Sequence, residues 1–379
     1  MRITHVTDCY LPRLGGIEIQ VRELALQQKA AGHDVRVITA TPGIEVRYGV
    51  DVVDGIEVHR VTAPMPFDLP IHPRVNFHVA AILRRHPTDV VHAHGGVVSP
   101  FAYPAARQAA RLGVPTLLTI HSLWGPAAPA FSLADRVLRW SRWGVTLSAV
   151  SEAAAQPMRD IVGGRQPVYV LNNGIDAQRW RTPSDDELRN GAHVHNRVHI
   201  VAVMRLAPRK RAMPLMSMLR AVRSAVPEDI ALHATLAGDG PAMSRVSDYV
   251  TTHDMTSWVT LAGRVTHDEI RDLYADADIF VAPAQLESFG LAALEARTAG
   301  VPVVAFRETG MAEFITDGVE GVLADDDASM VAAIAALATG EADRSRIATH
   351  NRTTVPAQVW SNVLARLDEV YAATIAAVP

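Results

Sequence analysis

Short apolar runs rich in β-branched residues alternate with longer stretches of helical periodicity along the whole chain. This alternation is typical of βαβ units, in which helices cover both faces of a parallel sheet. In the first half, the apolar runs predict strands at residues 2–7, 34–39, 56–61, 89–93, 115–120, 144–150 and 168–171. The helical spacing predicts helices at 17–31, 76–85, 99–112, 132–143 and 151–161.

A polar segment, 176–197, interrupts the alternation and is interpreted as a linker. The pattern then restarts, with strands predicted at 198–204, 231–237, 259–262, 279–282, 301–305 and 321–323 and helices at 213–226, 243–253, 267–275, 291–299, 328–339 and 356–377. The sequence therefore predicts an α/β protein with two doubly wound parallel-sheet domains, 1–175 and 198–355. Ligands bind such sheets at the carboxyl ends of strands, so two facing domains would hold a ligand in a central cleft.

The composition excludes several classes of protein. A net charge of −4 provides no basic field, so no nucleic-acid partner is expected. Cys9 is the one cysteine, which rules out an intrachain disulfide. The N-terminus lacks the apolar region of a secretion signal and no apolar run reaches about 18 residues, so a cytoplasmic protein is expected. Segment 77–85 is either a core helix with a basic end or a contact with the inner face of the membrane.

Segment 287–295 is the main candidate for chemistry, because it joins a short apolar strand to a helix that begins near Gly290. Glu287 lies in the loop beside the unpaired N–H groups of the helix start, and Glu295 lies one to two turns into the helix. Helix N-termini attract anions and polar hydroxyls. The two carboxylates predict a site for a nucleotide sugar; a carboxylate that only caps the helix is the alternative.

Other loops after predicted strands have features suited to a phosphate. Gly15 and Gly16 precede a helix and let the backbone approach a phosphate, although GxGxxG is absent and an ordinary turn is the alternative. Four cations between Arg205 and Arg211 predict a diphosphate clamp, or else a solvated basic turn. Weaker turn signals mark the next two strand ends, where a nucleotide would lie, at Gly238, Asp239, Gly240, Gly263, Arg264 and Val265.

Three histidines lie at predicted strand ends of the first domain: His92, His94 and His121. Strand alternation places His92 and His94 on one face, so a metal site is the first hypothesis to test. No third ligand is evident in the sequence, and no metal is predicted. We expect His94 or His121 to hydrogen-bond a substrate; a structural histidine in the core is the alternative.

This ordered set of motifs resembles the retaining glycosyltransferases of family 4, which have the two-Rossmann-domain architecture called GT-B. The resemblance spans nearly the whole chain and also includes segments 172–176, 300–304 and 310–313. It implies that the final helix, 356–379, crosses back to complete the first domain and that the linker near Asp176 is a hinge. Two features depart from the family pattern: Arg297 with Thr298, where small or apolar residues are common, and Arg211, where glycine is common.

The resemblance implies roles for individual residues. Arg205 and Lys210 would neutralise the donor diphosphate, Glu287 would hold hydroxyls of the transferred sugar, and His121 would contact that sugar near its reacting face. Glu295 would bind the ribose. The remaining donor-binding candidates are Gly15, Gly16, Gly238, Asp239, Arg264, Val265, Ser288, Phe289, Gly290 and Leu291. The acceptor-side candidates, in loops of the first domain, are Asp8, Tyr10, His94 and Asn173.

The implied activity is metal-independent transfer of a hexose or N-acetylhexosamine from a UDP- or GDP-linked donor to a hydroxyl of a sugar, inositol or lipid-linked acceptor, with retention of configuration. No cofactor is expected, because the nucleotide sugar is a substrate and no DxD-like pair is evident in the donor loops. A two-domain protein that binds a small ligand without chemistry and a UDP-sugar epimerase of similar architecture are the alternatives. The combination of the two glutamates with Arg205 and Lys210 favours transfer.

Overall fold

The computed structural model describes residues 1–13, 15–66, 69–181 and 197–378, which divide into two compact units. Unit 1 comprises Met1–Gly174 and Trp360–Pro379, and unit 2 comprises Ile175–Val359. The sequence predicts these boundaries at 175 and 356. Residues 182–196 of the predicted linker lie outside the described residues, and a short helix at its start belongs to unit 2.

The strands of unit 1, in chain order, are β1 (Arg2–Thr7), β2 (Asp34–Thr39), β3 (Gly49–Val53), β4 (Ile56–Arg60), β5 (Val90–Gly95), β6 (Thr116–Ile120), β7 (Thr146–Ala149) and β8 (Val168–Val170). They form one sheet in the order β3-β4-β2-β1-β5-β6-β7-β8, parallel except for β3. Every residue of β5 and β6 is buried, as expected for a sheet covered on both faces. The covering helices are α1 (Gly16–Ala30), α2 (Val75–Arg85), α3 (Ala102–Arg111), α4 (Ala128–Leu138) and α5 (Glu152–Val162).

Strand β3 is absent from the sequence prediction. It pairs antiparallel with β4 through a tight turn in which Asp54 and Gly55 both have positive φ, 52° and 74°. An Asp-Gly pair between two apolar runs is a strong hairpin signal, because both residues tolerate this conformation. Helix α4 also begins and ends earlier than predicted: Arg139 has a φ of 50° directly after it, and a 3₁₀ turn, Trp140–Arg142, follows.

Unit 2 contains β9 (Arg197–Val203), β10 (Ala231–Ala237), β11 (Val259–Gly263), β12 (Ile279–Ala282), β13 (Val303–Phe306) and β14 (Gly321–Ala324). These strands form a parallel sheet in the order β11-β10-β9-β12-β13-β14, the order of a dinucleotide-binding fold. The helices are α6 (Ala177–Trp180), α7 (Ala212–Ala225), α8 (Met243–Thr252), α9 (His267–Ala275), α10 (Leu291–Thr298), α11 (Asp327–Thr339) and α12 (Glu341–Thr353). Helix α12 was not predicted, because it is polar and buries few residues.

The final helix, α13 (Trp360–Ala376), belongs to unit 1. Its residues Trp360, Leu367 and Tyr371 join an apolar cluster with Ile3 of β1 and Val21 of α1. The last helix in the chain therefore contributes to the core around the first strand.

Helix α2 contains the whole of segment 77–85, for which a core position and a membrane contact were the two alternatives. It buries Val75, Val79 and Leu83 in the core of unit 1, while Phe77 is 69% exposed. Across the described ranges, no helix has both the length and the apolarity to cross a bilayer.

Candidate active site

The strand order of unit 2 creates a switch point between β9 and β12. The chain leads from β9 toward β10 on one side and from β12 toward β13 on the other, so the loops at this point diverge and open a crevice at the carboxyl ends of the strands. Arg205 follows β9, and Glu287 lies in the loop after β12. The two motifs most strongly indicated by the sequence therefore flank the same switch point.

Lys210 and Glu287 form an ion pair at this crevice, in which Lys210 Nζ donates to Glu287 Oε2. Lys210 ends a 3₁₀ turn, Pro208–Lys210, in the loop after β9. The two side chains are 24% and 16% exposed, so the attraction is less screened than on an open surface. A donor diphosphate would compete with Glu287 for the ammonium group.

Arg205 and Arg211 behave differently, although both belong to the same basic loop. Arg205 is exposed, and no carboxylate of the described ranges pairs with it. Arg211 instead binds Asp327, with Nη2 and Oδ2 2.8 Å apart, and donates to the carbonyl oxygen of Pro283 at 3.2 Å. Its φ of 62° explains why glycine suits this position. Arg205 is thus available to an anion, whereas Arg211 holds the loop in place.

Backbone packing holds the loop between β12 and α10. The N–H of Gly310 donates to the carbonyl oxygen of Glu287 at 2.9 Å. Gly290 has a φ of 90°, and a Cβ there would collide with the side chain of Met311, so both conformation and space require glycine. The ring of Phe289 is buried. The backbone N–H groups at the start of α10, including that of Leu291, are those that a helix leaves without an intrahelical partner.

Glu295 lies on α10, about one turn beyond this loop. Its side chain is partly exposed, yet burial raises its pKa to about 8. The neighbouring Tyr274 is fully buried and donates to the carbonyl oxygen of Ala292 at 3.0 Å. At neutral pH the unliganded protein therefore holds Glu295 mainly as the neutral acid, which can donate and accept hydrogen bonds with a diol.

The raised pKa of Glu295 predicts a pH-dependent stability. The folded chain holds this proton more tightly than the unfolded chain, in which the pKa is about 4.5. The contribution to the free energy of unfolding is therefore full below about pH 4.5 and is lost as the pH rises through about 8. Glu295→Gln cannot ionise. We therefore expect the Tm of Glu295→Gln minus that of the parent chain to increase between about pH 5 and pH 9. The increase should be roughly 2–4 °C for each kcal/mol of folding free energy that ionisation of Glu295 costs the parent chain.

Glu228→Gln is the matched control for this experiment, since Glu228 is exposed in the turn after α7. Its Tm difference from the parent chain should not change across the same pH range. An equally flat profile for Glu295→Gln would show that Glu295 is not a buried acid.

The next two strand ends of unit 2 are joined by backbone contacts. Gly238, after β10, has a φ of 129° and donates to the carbonyl oxygen of Gly263 at 2.7 Å. A Cβ at Gly238 would collide with the carbonyl oxygen of Met204. Asp239 and Arg264 lie beside this contact with Oδ2 and Nη2 3.8 Å apart, and both are largely exposed. The predicted nucleotide-binding residues therefore line one edge of the sheet, with the partly exposed Val265 beside Arg264.

Arg297 and Thr298, which also depart from the family pattern, have structural roles. Arg297 is 4% exposed and faces Glu320, with Nη2 and Oε1 3.6 Å apart. The hydroxyl of Thr298 donates to the carbonyl oxygen of Leu294 at 2.7 Å. Both contacts hold buried side chains of α10, the helix that carries Glu295.

In unit 1, two acceptor-side candidates have core positions. Asp8 accepts a hydrogen bond from the N–H of Phe101 at 2.8 Å and caps the start of α3, and burial raises its pKa to about 6. Tyr10 is fully buried in the core. Both side chains are held inward, because Asp8 satisfies a helix start and Tyr10 fills apolar space.

The histidines at the strand ends are ordered from inside to outside. His94 is 2% exposed and lies behind His121, with its Nδ1 3.0 Å from Nε2 of His121. His121 keeps partial exposure, so it is the better placed of the two to contact a substrate. His94 thus lies one hydrogen bond behind His121.

His5 supplies the third histidine that the sequence analysis did not find. Parallel pairing of β1 with β5 places it beside His92, and its ring nitrogens lie close enough to those of His92 and His94 to share a metal ion. Both ring nitrogens of each of the three histidines are instead occupied by hydrogen bonds. The arrangement is accounted for by a hydrogen-bond network.

The remaining unit 1 candidates lie near the start of α1 and the end of β8. Helix α1 begins at Gly16, and the carboxylate of Glu18 lies over Gly15, where it can interact favourably with the helix N-terminus. Asn173 lines a cavity of about 30 Å³ together with His94, His121 and other residues of unit 1.

Comparison with known protein families decides the class of this molecule. The sequence model described as Glycosyltransferase Family 4 matches residues 14–179, and the model described as Glycosyl transferases group 1 matches residues 184–354. The chain belongs to glycosyltransferase family 4. Two relatives of this glycosyltransferase agree with the assignment, and one solved structure shares its fold.

The glycosyltransferase is 27% identical to a phosphatidylinositol N-acetylglucosaminyltransferase subunit of Arabidopsis thaliana, over 88% of this chain and 73% of the relative. It is 28% identical to a glycogen synthase of Mycobacterium tuberculosis, over 98% of this chain and 95% of the relative. Its fold matches that of Anabaena Alr3699/HepE, solved in complex with UDP and glucose, with a TM-score of 0.74, 19% identity and 99% of each chain covered. The two parallel-sheet units are thus those of a GT-B enzyme.

Proposed function

We propose that this glycosyltransferase moves a hexose or N-acetylhexosamine from a UDP- or GDP-linked donor to a hydroxyl of a sugar, inositol or lipid-linked acceptor, with retention of configuration and without a metal ion. The observation that carries the proposal is the ion pair of Lys210 with Glu287 at the switch point of unit 2, beside the exposed Arg205. It joins a cation suited to a diphosphate with a carboxylate suited to sugar hydroxyls.

The chemistry follows from charge development in the reaction. As the sugar–phosphate bond breaks, negative charge accumulates on the departing nucleoside diphosphate, and fixed cations stabilise it without reorganising. Lys210 and Arg205 supply these charges, and the N–H groups at the start of α10 add a positive dipole end. The acceptor hydroxyl attacks from the face that the diphosphate leaves, and a leaving phosphate oxygen takes its proton.

The named relatives support the range of substrates without choosing among them. One is named for transfer of N-acetylglucosamine to phosphatidylinositol, and another for the synthesis of glycogen. HepE was solved with UDP and glucose. A thermal-shift screen with UDP, GDP and their sugars would identify the donor, since a bound ligand stabilises the folded chain by mass action.

Stereochemistry tests the retaining reaction directly. With an α-linked donor, we expect the first product to carry an α linkage, because attack and departure share one face of the sugar. Proton NMR of the anomeric signal early in the reaction measures this. A β-linked first product would contradict the same-face mechanism, and conversion of the free nucleotide sugar without acceptor would instead indicate an epimerase.

The proposed metal-independent reaction predicts a second result. Activity should persist within about twofold after exhaustive treatment with EDTA, because side-chain cations do the work that a divalent ion does elsewhere. The measurement is the initial rate before and after chelation, with and without added Mg²⁺ or Mn²⁺. Complete loss in EDTA that a divalent ion restores would require a different site.

A further inference from the structure

Three side chains that can bind a metal ion meet on one face of the sheet of unit 1, away from the site described above. They are Glu57 and His59 of β4 and His86, the residue directly after α2. Each offers one ligand atom, and the three atoms lie within 4.8 Å of one another. Two imidazoles and a carboxylate are a ligand set that suits transition metals such as Zn²⁺.

The geometry of β4 places the first two of these side chains. Glu57 and His59 are two residues apart in the strand, so their side chains leave the same face. Nε2 of His59 lies 2.8 Å from Oε1 of Glu57. His59 is buried, whereas the side chain of Glu57 is 41% exposed. The pair therefore lies at the boundary between the core and the solvent.

The end of α2 places the third side chain. Pro87 disfavours the helical conformation at the residue before it, and His86 accordingly has extended backbone angles, φ −118° and ψ 102°, and ends the helix. The ring of His86 packs edge-on against that of His59, with the ring centroids 5.0 Å apart. Its Nδ1 lies 3.9 Å from Oε1 of Glu57. Both imidazoles therefore lie next to the same carboxylate oxygen.

The distances between these atoms suit a tetrahedral ion. Bonds from Zn²⁺ to nitrogen and oxygen are about 2.0–2.1 Å long, so neighbouring ligand atoms in a tetrahedral site are about 3.3 Å apart. The two distances to Oε1 of Glu57, 2.8 and 3.9 Å, lie on either side of this value. Glu57 and His86 are both partly exposed, so small rotations of their side chains can equalise the distances and a metal ion has access from solvent.

Arg36 of β2 faces the same carboxylate, because the register of β2 with β4 places it beside Glu57. Nε of Arg36 lies 3.6 Å from Oε1 of Glu57, and within the described residues this buried nitrogen has no hydrogen-bond partner. Nη2 of Arg36 donates to Oδ2 of Asp34 at 3.2 Å, so a second carboxylate balances its charge. Carboxylates that bind a metal are commonly hydrogen-bonded in turn. Arg36 is thus placed to donate to Glu57 when one of its oxygens binds an ion.

We propose that Glu57, His59 and His86 bind a divalent transition metal ion such as Zn²⁺, which links the end of α2 to β4. Glu57 lies near the amino end of β4, and His86 precedes β5, whereas the candidates for sugar transfer follow the carboxyl ends of strands. The ion therefore stabilises unit 1 and takes no part in the transfer reaction. This inference does not depend on the proposed function.

The binding experiment uses the full chain after treatment with EDTA and removal of the chelator, with Co²⁺ as the probe and Zn²⁺ as the competitor. We expect one equivalent of Co²⁺ to give a visible d–d absorption that Zn²⁺ abolishes. Loss of a hydrogen-bond partner of a metal ligand already costs about 10–100-fold in affinity. Loss of a ligand itself, in His86→Gln or Glu57→Gln, should weaken binding by at least as much. Both side chains are partly exposed, so both variants are expected to fold.

The matched control is His78→Gln, which removes another partly exposed histidine of α2. The ring of His78 packs against that of His72, with the centroids 4.7 Å apart, so it belongs to a different pair of imidazoles. His78→Gln should bind Co²⁺ and Zn²⁺ as the parent chain does. An equal loss of binding in His78→Gln and His86→Gln would contradict the assigned ligands.

A second measurement is the Tm with and without Zn²⁺. Because an ion that binds the folded chain stabilises it by mass action, we expect Zn²⁺ to raise the Tm of the parent chain and of His78→Gln by several degrees. The Tm of His86→Gln and of Glu57→Gln should change little. No saturable binding of either ion by the parent chain would overturn the proposal, as would binding and stabilisation that both ligand variants retain. The proposed function fails by a different observation, namely no transfer with any nucleotide sugar.

Discussion

Lys210→Ala and Arg205→Ala are each expected to lower kcat by about 10²–10³-fold, the usual effect of removing one preorganised group that stabilises a developing negative charge. Lys210 is paired with Glu287 in the unliganded enzyme, and Arg205 is exposed at the end of β9. Neither side chain contributes to the buried apolar core, so the Tm of each variant should lie within a few degrees of the Tm of the parent enzyme. Initial rates at saturating donor, with Tm values measured in parallel, check this expectation.

The matched control is Arg220→Ala, which removes one positive charge from an exposed position of α7 in the same unit. This control separates a local effect on the bound diphosphate from a general change in the electrostatic field of unit 2. A near-normal rate for Lys210→Ala would remove that residue from the diphosphate site. An equal loss in the control would show that the effect is not local.

Glu287→Gln and Glu295→Gln should affect different kinetic constants. We propose that Glu287 contacts the transferred sugar, whose charge and shape change most in the transition state, so the loss of its carboxylate should lower kcat by about 10²-fold or more. We propose that Glu295 contacts the ribose, away from the reacting bond. Its loss should raise the KM for the donor and reduce the thermal shift caused by the nucleotide, with a smaller change in kcat.

Each glutamate variant serves as the control for the other, since both replace a carboxylate with an amide of equal size in the same unit. Near-normal kcat and KM for both would show that neither glutamate acts in catalysis or in donor binding. If Glu287→Gln raised KM and Glu295→Gln lowered kcat, the donor would lie in the opposite orientation along the strand ends.

Local patterns in the sequence predicted most of the elements, because burial on both faces imposes apolar runs on parallel strands and helical spacing on the helices that cover them. They missed β3, although the Asp54-Gly55 turn was present, and α12, whose polar surface has little periodicity. They also misplaced α4, which ends where Arg139 adopts a positive φ.

For the site, the sequence predicted which loops lie at strand ends, and the family models agree with the resemblance that those loops suggested. It did not predict that Tyr10 is fully buried or that Asp8 caps α3. A polar residue after a strand has the same sequence signature whether it points to a ligand or to a nearby helix start. The packing of α3 against the sheet decides between the two.

The sequence by itself determined the succession of strands and helices, the presence of two doubly wound domains, and the carboxylate and basic loops that identify a glycosyltransferase. Only the tertiary structure decided which distant side chains meet. Lys210 pairs with Glu287 because β9 and β12 are neighbours, and His5 joins His92 and His94 because β1 pairs with β5. The spacing of apolar residues indicates which positions of each element are buried. Strand order and register are set by packing between segments far apart in the chain, and no local pattern encodes that packing.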